Sequence, residues 1–339
     1  MSKARYAFPL VVLGFALLIL LTIYISLTNG VYDISPWDLI QTMLGMNDNA
    51  DKVLVLTEFR LPRIIMAALV GTGLAVAGAI IQGVTRNDLA DPGILGINAG
   101  ASTAIALFIF FLRGNLSNLG MFEQFAMPFF GLLGGILAAV LIYLFSYKNG
   151  TLPVERLILS GIAVGSGLSA ISVYLTLKMN TQDFEMVVTW TAGSIWNANF
   201  DYILVMLCGL LLILPVLFIS AHMLNIFHLD ENSIKSLGVL PDRLRMGFLL
   251  GSIALVSLCV AASGGIGFVG LVAPHIARRL VGMSFQRLVP VAALVGTALV
   301  MISDFLARTI LQPTEIPVGM LISLIGVPYF LYLLYRTYK

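Results

Sequence analysis

The chain has 339 residues, 59% of them hydrophobic and only 11% charged, against roughly 25% charged in an average soluble domain. A water-soluble fold of this length has no means of hiding so much apolar surface, whereas a bilayer solvates it. The formal net charge of +2 leaves nucleic-acid binding without an electrostatic basis.

The N-terminus reads MSKAR, followed by an apolar run from Phe8 to about Thr28. Roughly 20 residues at 1.5 Å each cross the hydrocarbon core, so this run is long enough to span. A signal peptide has a shorter apolar region and a small-x-small cleavage site; neither is evident, and the first span is expected to be retained. Further apolar runs bring the expected spans to ten, at about 7–28, 61–83, 93–112, 125–147, 155–178, 200–221, 245–262, 267–282, 288–309 and 317–336. The chain reads as an all-α membrane protein, one bundle of about ten transmembrane helices, because a span must satisfy its own backbone donors and acceptors. The eighth run opens with GGIGFVG (264–270) and contains Pro274. It is expected to be partly irregular where protein shields it.

Basic residues orient the spans. With ten spans and an inner N-terminus, Lys3, Arg5, Arg86, Lys148, Arg156, Lys235, Arg243, Arg245, Arg278, Arg279, Arg287, Arg336 and Lys339 fall inside. Lys52, Arg60, Arg63, Arg113, Lys178 and Arg308 fall outside. The excess predicts both termini in the cytoplasm.

Between the first two spans lies an acidic outer loop, about 29–60, whose PWDLIQTMLG reads as a short interfacial helix. The longest inner loop, about 222–244, holds Asp230 as a candidate cap for a helix from Glu231 to Leu237, with Gly238 as its stop. That helix is either a docking surface or a plain connector, and its residues alone do not decide between them. No linker or repeat divides residues 1–339, which read as a single membrane domain.

No enzyme signature is present. The phosphate loop of a P-loop ATPase is missing, so the chain has no catalytic residues of that kind. His222, His228 and His275 lack the spacing of a metal site, and Cys208 and Cys259 sit in apolar runs as small apolar side chains. No cofactor or metal is expected in the chain. Asp304 is the one acidic residue well inside a span, and Arg308 follows four positions later on the same helical face. An unpaired carboxylate there would suggest ion-coupled transport of a small solute; an internal ion pair is the simpler reading. Small residues at 71–79 and 160–172 suit close helix packing. Ser166, Ser169 and Ser172 also form a mildly polar stripe that could line a pathway.

Several motifs occur in an order that resembles the FecCD-type permeases of ABC importers for ferric siderophores, haem and cobalamin. They are RLPR (60–63), GTGLAVAGAIIQGVTRNDLADPGILGINAGA (71–101), ERLILSGIA (155–163), WTAGSIW (190–196), SLGV (236–239) and GGIGFVGLVAPHIAR (264–278). Pro290, SDFLAR (303–308), EIPVG (315–319) and GVPYF (326–330) complete the set. Two departures stand out. Asp88 replaces the usual proline after Asn87, leaving that turn less rigid, and Ser284, Phe285 and Gln286 stand where the family often has Asp-His-Arg.

The resemblance implies a ten-helix subunit that pairs with a second permease subunit, the same or a related chain, in the bacterial cell membrane. It implies two ABC ATPase subunits, which hold the ATP and magnesium, docked on the 222–244 loop at Asp230, Glu231, Ser233, Ser236, Leu237 and Gly238. An extracellular or periplasmic binding protein would present carboxylates to Arg60, Arg63 and Arg308, which occupy the matching motif positions. The implied cargo is a ferric siderophore, passed along a path lined by the fifth span.

Overall fold

A computed structural model describes residues 3–30, 32, 34–46, 49–113, 121–148, 152–229, 231–236, 238, 240–311 and 314–337. Helices stand at all ten expected positions. Eight of them are long and apolar enough to cross a membrane by themselves. They are α1 (Lys3–Thr28), α4 (Leu61–Thr85), α6 (Met121–Ser146), α7 (Val154–Thr176), α9 (Phe200–Ser220), α11 (Pro241–Ser263), α13 (Phe285–Thr309) and α14 (Val318–Thr337). The other two, α5 (Ile97–Phe111) and α12 (Val269–Val281), are shorter. At 1.5 Å per residue they cover about 20 Å each, less than the roughly 30 Å of a hydrocarbon core, and irregular backbone precedes each of them.

Those irregular pieces are sheltered, as non-helical backbone at membrane depth must be. The 3-10 turn Pro92–Leu95 leads into α5 through Gly96, which is left-handed at φ +74°. The stretch 264–268 leads into α12. There, Ser194 donates its amide to the Ser263 carbonyl and Gly319 donates to Gly193. Phe268 caps α12 at φ +64°, a conformation strained for a bulky residue. Its side chain is held against Gly326, where a Cβ would lie 2.6 Å from the Phe268 Cβ. The irregular start expected for the eighth span is borne out.

The centre of the bundle is α4, buried on every side from Val70 to Thr85 with the single exception of Thr72. Glycines make this possible. A Cβ on Gly71 would overlap the backbone of Gly296 in α13, and one on Gly78 would overlap Gly270 in α12. The close approach also lets Thr72 and Thr297 share a hydroxyl hydrogen bond of 2.8 Å. The packing reading of the 71–79 stretch therefore holds. By contrast α1, α7 and α9 present rows of exposed large apolar side chains, the faces a bilayer covers.

Among the described residues there are also four short helices: α2 (Pro36–Met43), α3 (Ala50–Leu54), α8 (Thr181–Thr191) and α10 (Glu231–Ser236). The first is the expected interfacial helix, started by a reciprocal Ser35–Asp38 capping box. A π-helical segment, Val55–Arg60, joins α3 to α4 without a break, so the helix of the second span begins well before the expected residue 61. Sequence reading missed α8, since its charged TQDFEMVVTWT lacks a span's apolarity; Asn180 caps it through the Asp183 amide. The same end is anchored by an ion pair of 2.6 Å from Asp183 to Arg113, just beyond α5.

Candidate functional sites

Three features are arranged along the bundle: an arginine network at one end, a polar cavity along the side, and a structured loop at the other end.

At the network end, the π segment turns Arg60 inward, where its guanidinium donates to the carbonyls of Leu27 and Tyr32. One turn on, Arg63 donates through Nε to Asp304 at 2.6 Å and through a terminal nitrogen to Glu315 at 2.7 Å. Arg308 lies 3.3 Å from the other Asp304 oxygen and donates to the Ser26 hydroxyl. Asp304 is thus held between two guanidinium groups. This supports the internal-pair reading and removes the free intramembrane carboxylate that ion coupling would need. Arg60, Arg63 and Asp304 are buried, whereas the Glu315 side chain keeps 37% exposure. The three arginines also line one cavity of about 330 Å³ with Tyr32, Trp196 and Glu315.

The side cavity, about 610 Å³, lies between α5, α7 and α8. Ser169 and Ser172 of the expected stripe are on its wall with Ser102, Asn98, Thr176 and Thr191, and no lining residue carries a formal charge. Ser166 is exposed on the same helix but is not part of this wall. The Thr103 hydroxyl donates to the Leu168 carbonyl at 2.7 Å and fastens α5 to α7 behind the cavity. Asn98 and Thr191 lie within the 71–101 and 190–196 motifs, but nothing in those motifs marked them as cavity wall. Their place here depends on α5 and α8 converging.

At the loop end, a 3-10 segment, Ala221–His228, precedes α10. Ile234 of α10 is completely buried while Ser233 and Ser236 face outward. Gly238 is left-handed at φ +74° and its amide donates to Lys235, as expected of a helix stop. Asp230 and Leu237 lie outside the described residues, as does the Glu231 side chain. Arg86, at the end of α4, donates to the Leu229 carbonyl at 2.6 Å. Asn225 accepts from the Phe285 amide and donates to Gln286, both at 3.1 Å, and the His228 ring stacks on Phe285. Within the second departure from the family pattern, Phe285 and Gln286 are therefore what ties this loop to α13. At the first, Asp88 forms an ion pair of 2.5 Å with Arg278, a tether in place of the missing proline.

Among the described residues, no group of three or more His, Cys, Asp or Glu side chains is placed to hold a metal. His275 instead bonds the Tyr329 hydroxyl at 2.5 Å, and His222 contacts the Ile219 carbonyl.

A bundle with eight helices of membrane-crossing length defines a multi-pass membrane protein. The chain belongs to the FecCD transport family, which it matches over residues 17–336. It is 47% identical over 336 residues to the iron(3+)-hydroxamate import system permease protein FhuG of Bacillus subtilis, covering 99% of each chain. It is 43% identical over 325 residues to the iron-uptake system permease protein FeuC of the same organism, covering 96% of this chain and 97% of that one. Its fold matches a solved structure described as an inward-facing ABC transporter of the metal-chelate type, with a TM-score of 0.83, 33% identity and coverage of 97% and 99%. The chain is a subunit of an ABC importer, its permease and not its ATPase.

Proposed function

We propose that this permease carries a ferric siderophore across the bacterial cell membrane, with the network end outside and the loop end and both termini in the cytoplasm. The observation that carries this reading is the full-length similarity to an iron(3+)-hydroxamate permease, 47% identical with 99% of each chain covered. The uncharged cavity fits it. A bulky iron chelate has to leave as readily as it enters, and small hydroxyl and amide groups offer contact without a fixed charge to trap it.

A binding protein outside the cell delivers the cargo, and its carboxylates meet Arg60, Arg63 and Arg308. A guanidinium fork recognises a carboxylate by two parallel bonds. Glu315 is the exposed member of the network, so an arriving carboxylate reaches Arg63 by taking its place. Two ATPase subunits seat on Asp230, Glu231, Ser233, Ser236, Leu237 and Gly238. ATP-driven closure then moves α10, and the contacts of Arg86, Asn225 and His228 pass that motion to α4 and α13. A second permease subunit completes the pathway along Ser166, Ser169 and Ser172. ATP biases a two-state element in this scheme, which is what directed transport requires.

The test is uptake of radiolabelled iron, supplied as a hydroxamate siderophore, by cells lacking this chain. The wild-type chain restores uptake only when the partner ATPase is active. Uptake that persists with the ATPase inactivated and collapses with a proton uncoupler overturns the reading. Unchanged uptake and unchanged binding-protein-stimulated ATP hydrolysis after charge reversal of all three arginines removes their docking role.

A further inference from the structure

A third cavity shares no lining residue with the two already described and takes only Ile97 from α5. It measures about 400 Å³ and is lined by apolar side chains, among them Ile136, Val140 and Tyr143 of α6 and Met246 and Leu250 of α11. That volume is within the range of roughly 300–1,000 Å³ typical of small-molecule sites. Val140 is 47% exposed and Leu250 58%, so the cavity opens sideways, toward the hydrocarbon that surrounds a spanning bundle.

Its loop-end rim has a different character. Tyr143 is followed one turn later by Tyr147, their rings 5.5 Å apart, a pair suited to the membrane–water boundary. The Ser146 hydroxyl donates to the Arg156 carbonyl at 3.4 Å, which sets Arg156 beside the last turn of α6. Leu157, the next residue, lines the cavity. Arg243 lies three and seven residues before Met246 and Leu250, on the same face of α11 and nearer the loop end. Among the described residues no carboxylate pairs with Arg156 or Arg243. Asp242, the nearest acid in sequence to Arg243, is turned to Arg245 at 3.4 Å.

We propose that this cavity binds an anionic phospholipid of the loop-end leaflet, with an acyl chain among Ile136, Val140 and Leu250 and the phosphate between Arg156 and Arg243. Apolar lining alone accepts any chain. Arg156, next in chain to the lining residue Leu157, and Arg243, on the same helical face as the lining residue Met246, select the charged headgroup, as basic pockets between helices do on the cytoplasmic side of membranes.

The experiment uses the assembled importer in vesicles of equal phosphatidylglycerol and phosphatidylcholine, with traces of each lipid spin-labelled in turn. The wild type immobilises phosphatidylglycerol about fivefold more than phosphatidylcholine. The R156Q/R243Q double variant loses that preference, and Val140→Phe, which fills the cavity from its exposed rim, reduces immobilisation of both lipids. Circular dichroism of each variant matches the wild type. Equal immobilisation of the two lipids by the wild type overturns the proposal, as does a preference that survives in the double variant. So does a disulfide between two permease copies through Val140→Cys, because protein would then cover the groove.

Discussion

Arg63 and Asp304 are 241 residues apart in the chain and 2.6 Å apart in the fold, and both are almost wholly excluded from solvent. This pair joins the start of α4 to the end of α13 at the network end, while the Gly71–Gly296 contact joins the same helices at mid-depth. The two most intimate partners in the bundle are thus clamped by charge at one end and by backbone contact in the middle.

Removing one member of a buried pair strands the other. Asp304→Ala leaves Arg308 facing an uncharged gap and Arg63 held by Glu315 alone, and the expected loss is about 3–5 kcal/mol of stability. Thermal unfolding of the purified chain in detergent measures it. The double variant R63M/D304L removes both charges of the shortest contact and is expected to recover part of that loss. A double variant no better than D304A would mean the burden lies with Arg308.

Glu315 behaves differently because its side chain is 37% exposed. Glu315→Gln is expected to change stability by no more than about 1 kcal/mol. If an incoming carboxylate displaces Glu315 from Arg63, the variant binds the loaded binding protein more tightly and stimulates ATP hydrolysis at lower concentrations of it. Titration of ATPase activity against binding protein reads this directly.

Glycine positions separate close packing from mere apolarity. A Cβ on Gly78 would collide with the Gly270 backbone, while one on Gly14 of α1 would have no neighbour within 4 Å. Gly78→Ala is therefore expected to lose about 1–3 kcal/mol through overpacking, whereas Gly14→Ala is silent. The comparison is made by thermal unfolding of the two variants.

At the loop end, Ile234 is the buried anchor of α10. Ile234→Ala is expected to loosen the helix by about 2–5 kcal/mol and to reduce ATPase co-purification. Ser233→Ala on the outward face leaves the fold intact. Equal ATPase recovery with I234A and the wild type would uncouple α10 from docking.

Local composition was enough to locate the ten helices expected as spans, eight of them of membrane-crossing length, together with the short α2 helix and the family motifs, because apolar length, capping residues and glycine stops are properties of neighbouring positions. It even marked Asp304 and Arg308 as partners, since four residues is one helical turn. The Arg63 fork to Asp304 and Glu315, the Asp88–Arg278 tether and the hold of Asn225 on Gln286 lay beyond it. Each joins segments distant in the chain, and only the packing of separate helices brings such charges and amides within bonding distance. The same holds for the polar cavity: a serine stripe is equally a packing surface or a wall until α5 and α8 close around it. Which arginines face inward was likewise decided by the fold. A guanidinium can enter an apolar bundle only where carbonyls and carboxylates from other helices have already converged to receive it.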